Sequence, residues 1–119
     1  MDSILTSIKK LLGIAEDYKH FDADIIMHIN GVFMILNQLG VGPTNVFSIT
    51  NEESTWNDFL PDNTNLEAVK TYVYLKVRLI FDPPTSGIVT ESMNKMVSEY
   101  EWRLNVAAQS SPLKNGEEK

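Results

Sequence analysis

Cysteine is absent from the chain, which excludes disulfides, thiolate metal sites and a thiol nucleophile together. The same absence leaves the redox compartment open. Histidine is scarce as well: His20 and His28 are the only two, and no His-Glu-x-x-His or comparable ligand set surrounds them. No run of about 18 uninterrupted apolar residues is available to cross a membrane. The opening residues, MDSILTSIKKLLGI, lack the basic leader and small-residue cleavage site of a secretory signal. The expectation is a soluble protein made and kept in the cytoplasm. Cations are outnumbered, with ten Lys and Arg against sixteen Asp and Glu and a net charge of -6. That balance disfavours a protein that grips phosphate backbones, because such affinity comes from neutralising them. It suits a surface that nucleic acid must pass without sticking. No Gly-rich loop follows a strand and no serine has a plausible base and orienter, so the residues give an enzyme no support.

The apolar residues are plentiful, 43% of a 119-residue chain, enough for one domain with a modest core. Their spacing predicts an all-α fold, a small bundle of about four helices over 3–12, 22–39, 65–81 and 87–106, with a long loop between helices two and three. Ile4, Leu5, Ile8, Leu11 and Leu12 share a face that Gly13 closes and Ile14 follows, the order of a left-handed glycine stop, with Asp2 or Ser3 as cap. Asp22 is placed to cap the second helix, with Phe21 and Ile26 at staple positions. Gly31, inside that helix, implies close approach of another helix. Residues 40–63 read as a connection with a short strand at Val46–Ile49 and a helical turn at Trp56–Leu60. It either folds over the bundle or reaches a neighbour, with Trp56, Phe59 and Leu60 as anchors. Thr64 and Glu67 form a capping box for the third helix. Val73–Leu79 alternates as a strand would, but the box and the length of the apolar face favour helix. Pro83–Pro84 then forces a stiff corner, since the residue before a proline is driven out of helical geometry. In the fourth helix, Glu91 with Lys95 and Glu99 with Arg103 stand four apart, acid first. Residues 1–108 are expected to form the domain and 109–119 a flexible tail, in which Leu113 beside Pro112 could dock in a groove on assembly.

Chemistry is thin in this pattern. Asn51, Glu52, Glu53, Asp58 and Asp62 could surround calcium but lack the alternate-residue spacing of a calcium loop, so they read as a solvated loop. Tyr72, Tyr74, Trp56, Phe81 and Trp102 together exceed what so few helices cover, which assigns part of the aromatic area to an interface. Glu91, Glu99 and Glu101 are a wet face in a monomer and, in a ring, candidates to line a channel whose repulsion keeps DNA moving. An alternative reading is a small helical protein-binding or regulatory module that uses the Trp56 loop to hold a partner.

ILTSIKKLLGI, FDADIIMHINGVFMILNQLGVGP, the W-x-DFL of Trp56–Leu60, VKTYVYLKVRLIFDPPTS and EWRLNV occur in that order over residues 4–106. In this the chain resembles the head-tail connector, or adaptor, proteins of long-tailed bacteriophages and prophages. The resemblance implies a helical subunit with no enzymatic activity and no cofactor, forming a ring, usually twelvefold, below the portal protein. Such a subunit can be monomeric in solution until it meets the portal. The ring would extend the DNA channel at the head-tail junction of the virion and present a surface to the next connector or stopper protein, with no membrane involved. Candidate interface residues are then Trp56, Phe59, Leu60, Trp102, Leu113 and the corner Phe81, Asp82, Pro83, Pro84 and Thr85.

Overall fold

A computed structural model describes residues 3–62 and 65–110. Five helices make up the described chain: α1 (Ile4–Leu12), α2 (Asp22–Gln38), α3 (Trp56–Phe59), α4 (Leu66–Phe81) and α5 (Gly87–Ser110). The fold is all-α, with one more helix than expected because the turn at Trp56 is a separate short helix.

The first helix ends as its sequence dictates. Ser3 Oγ accepts from the Thr6 amide at 3.2 Å. Gly13, at φ +82°, lets its own amide reach Lys10 and that of Ile14 reach Lys9, the paired bonds that close a helix through a left-handed residue. The second helix departs from expectation. Phe21 occupies the cap position without a side-chain bond, while the Asp22 carboxylate lies 2.8 Å from the ammonium of Lys9. Lys9 is only 2% exposed, and its Nζ also donates to the carbonyls of Glu16 and Tyr18 at 3.0 and 2.8 Å. An ammonium removed from water needs a counter-charge and full hydrogen bonding, and that demand outweighs a cap.

The connection after α2 folds over the bundle. The strand expected at Val46–Ile49 is not formed. Instead the Asn30 side chain holds the Ile49 peptide on both sides, donating to its carbonyl at 2.9 Å and accepting from its amide at 2.8 Å. One amide thus does for Ile49 what a neighbouring strand would have done. Gly42, at φ +92°, lies against the Phe59 ring so closely that a Cβ would stand 2.5 Å from Cε1. Thr55 and Asp58 cap α3 reciprocally, the Thr55 amide donating to Asp58 Oδ2 at 2.9 Å.

Val73–Leu79 is helical, within α4. Asn65 precedes α4 in left-handed geometry, and Thr64, the other half of the expected box, lies outside the described residues. Phe81 meets Phe21 of the α1–α2 segment edge to face at 5.3 Å, whereas the Tyr72 hydroxyl donates to Glu101 of α5 at 2.7 Å. The two α4 residues are nine apart, about two and a half turns, so α2 and α5 pack on opposite sides of α4. The bundle is thin, 46 × 34 × 19 Å, with α1 against α2 and α4.

Candidate interaction surfaces

The structure separates the candidate interface residues into three groups. Trp56, Phe59 and Leu60 are buried in the chain's own core. Trp56 Nε1 donates to Ser7 Oγ at 2.8 Å, and the Phe33 and Phe59 rings lie 4.5 Å apart. In this conformation they anchor the long loop from within. The corner and Trp102 are accessible: Asp82, Pro83 and Thr85 are exposed, Pro84 and Phe81 half-buried, and Trp102 is 65% exposed. Leu113 lies outside the described residues.

The corner is built from polar ties at both ends. Arg78 Nε donates to the Asp82 carbonyl at 2.6 Å and Arg78 Nη1 to the Tyr74 hydroxyl at 3.1 Å. On the far side the Ser86 hydroxyl accepts from the Val89 amide at 3.3 Å, opening α5, and Thr90 Oγ1 donates to the Pro84 carbonyl at 3.4 Å. Two prolines without amide donors are thereby bracketed by bonds from both helices. Beside the corner stands a cluster not foreseen from the sequence. Tyr18, His20, Phe21, His28 and Phe81 form a chain of ring contacts with centroid spacings of 4.8–6.4 Å. Both histidines of the chain belong to this aromatic group. Phe81 was visible as a candidate in the sequence, but its ring partners come from 53 or more positions earlier, beyond any local pattern.

The three acids considered for a channel do not share a face. Glu101 turns toward α4, accepting from Tyr72 and lying 4.0 Å from the Lys76 ammonium. Burial first, and then the bond to Glu101, raise the Tyr72 hydroxyl well above the usual phenol range. Glu99 pairs with Arg103 at 2.7 Å on the outward side, and Glu91 is exposed. Of the two expected acid–base pairs, Glu99–Arg103 forms at ion-pair distance, and Glu91–Lys95 does not. Met96, Glu99, Tyr100 and Arg103 line a shallow depression on α5. In the loop, Asp58 is engaged in capping and Asn51 Oδ1 accepts from the Glu53 amide at 2.8 Å. Among the described residues, no three His, Asp or Glu side chains converge as a metal site. None of the described helices is long and apolar enough to cross a membrane.

The surfaces are thus helical faces and a rigid corner, an arrangement suited to docking. A family model described as phage connector protein matches residues 4–111. The chain belongs to this family. Neither the curated proteins nor the solved structures contain a match. As a phage connector protein it has a structural, non-enzymatic role, that of an adaptor in head-tail connector assembly. The match runs from the first residue of α1 to just beyond the last of α5, so it takes in the corner, the aromatic cluster and both flanking helices.

Proposed function

We propose that this connector protein forms a ring beneath the portal of the filled capsid, twelvefold in the virion, and that the ring extends the DNA channel and docks a stopper or tail-side protein. The observation that carries the reading is the family match across all five helices. The rigid corner at Pro83–Pro84 supports it, since a closing ring requires one angle repeated in every subunit. The net charge of -6 fits a channel component that DNA passes without lasting contact. Exposed Glu91 is the acid best placed to contribute there, because Glu101 is turned into the subunit and Glu99 is neutralised by Arg103. The subunit would assemble in the bacterial host cytoplasm and reside at the head-tail junction, and the segment 109–119 would act as a tail that assists capture by the portal.

Imaging of tailed particles assembled with this chain tests the placement. The expected result is a ring of density between portal and tail that accommodates the thin bundle. Complete tailed particles lacking this chain would overturn it.

A further inference from the structure

Gly31 stands exposed in the interior of α2, and a Cβ there would meet nothing within 4 Å. The helix it was expected to admit is absent from the subunit, so close packing does not account for it. The residue before it is an asparagine. In an Asn-Gly pair the side-chain amide is unusually open to attack by the following backbone nitrogen, because glycine has no Cβ to obstruct the approach and restricts the backbone least. The chain has two such pairs, Asn30–Gly31 and Asn115–Gly116, and the second lies outside the described residues.

The fold holds the first pair shut in two ways. The Gly31 amide lies within α2, where backbone N–H groups are committed to carbonyls four residues earlier and the helical turn carries the nitrogen away from the neighbouring side-chain carbon. The Asn30 carboxamide is itself engaged by the long loop, Nδ2 donating to the Ile49 carbonyl at 2.9 Å and Oδ1 accepting from the Ile49 amide at 2.8 Å. Ile49 is buried, so the carboxamide cannot turn toward Gly31 without leaving that peptide unpaired on both sides. We infer that Asn30 is a deamidation site gated by the long loop, protected while Ile49 is seated and reactive when the loop opens. Gly31 contributes by weakening the helical turn at this point. In the open state the Gly31 nitrogen gives up its proton and bonds to Asn30 Cγ, the Cγ–Nδ2 bond breaks, and Nδ2 leaves with that proton as ammonia. Water then opens the cyclic imide at either carbonyl, giving aspartate or isoaspartate. Neither product can donate to the Ile49 carbonyl, and isoaspartate also adds a methylene to the α2 backbone. Loss of ammonia makes the step one-way, so a subunit whose loop has opened carries a permanent mark and reseats the loop less well.

The inference concerns the subunit alone and does not depend on the ring. The chain is incubated in mildly alkaline buffer, folded and in urea, and Asn30 and Asn115 are followed separately by peptide mapping with mass spectrometry. Asn30 should deamidate at least about tenfold more slowly in the folded chain, since a reaction through a transient open form tracks the population of that form. Equal rates would overturn the protection, and an Asn30 that stays intact in urea would overturn the site. Gly42→Ala separates the loop from the helix: at φ +92°, with its Cβ 2.5 Å from the Phe59 ring, the alanine unseats the loop without replacing any α2 residue. Val97→Ala, which trims the buried side of α5, is the control for general destabilisation when each variant is held equally far below its own melting midpoint. Gly42→Ala should speed the reaction at Asn30 severalfold more than Val97→Ala does; equal acceleration would mean that the site opens only with the whole fold, and the gate would be rejected. If Gly42→Ala does not fold, Thr55→Ala, which removes half of the α3 cap, opens the same loop more mildly and is read in the same way. Asn30→Asp tests the consequence: amides of the loop should exchange with solvent severalfold faster than in the parent chain, and unchanged exchange would remove the one-way effect on seating.

Discussion

Lys9 is the residue whose environment most exceeds its sequence signal. It belongs to a Lys-Lys pair on an amphipathic helix, yet its ammonium is enclosed by Asp22 and two carbonyls of the α1–α2 segment. Removing one member of such a set leaves the other buried and uncompensated. Asp22→Asn should therefore lower unfolding stability by about 3 kcal/mol in urea, more than Lys9→Met, which replaces the charge with an apolar chain of similar length. Equal losses from the two variants would indicate that the ion pair is solvated. Tyr72 supplies a pH effect. Its folded hydroxyl titrates above the unfolded phenol value of 10.0, so above about pH 10 the unfolded chain binds fewer protons and stability falls as pH rises. Below that value the contribution is fully present. Tyr72→Phe should show a shallower loss of stability between pH 9 and pH 11 than the parent protein, measured by denaturant titration; parallel curves would remove Tyr72 as the source.

At the scale of elements, the corner between α4 and α5 decides how the apolar faces of those two helices are set. The structure ties it by Arg78 from α4 and by Ser86 and Thr90 at the start of α5, so the prolines are not the sole source of its shape. Replacing Pro83 and Pro84 by alanine should then reduce stability by no more than about 1 kcal/mol per site, mainly by freeing the unfolded chain. Assembly should suffer more, because each copy must order the corner again and an angular error recurs around a ring. Chemical unfolding of the double variant, paired with its portal binding at a temperature where it remains folded, distinguishes the two effects. Undiminished binding by the folded variant would reduce the corner to an interhelix turn. The long loop is the complementary case, an element without regular structure that is nevertheless specified by Asn30, by Gly42 against Phe59, and by the buried anchors Trp56 and Phe59.

At the scale of the molecule, α4 is central and α2 and α5 are its two flanks, each with an inner face closed by α4 and an outer face left open. The acidic balance adds a second property of the whole: in the proposed ring it would keep DNA from being bound tightly, independently of which single acid faces the channel.

Sequence alone determined what depends on neighbours in the chain. Apolar periodicity placed four helices to within a few residues, Gly13 ended the first, and Pro83–Pro84 ended α4, because backbone geometry and local hydrogen bonding act over one or two turns. The order of motifs also identified the family. Tertiary structure alone decided which residues are enclosed. Burial of Lys9 took Asp22 from its expected cap, Asn30 replaced a strand for Ile49, the core enclosed Trp56, Phe59 and Leu60, and Gly31 was left facing outward. Each of these outcomes depends on desolvation, and whether a group loses water is set by residues tens of positions away that a local pattern cannot contain.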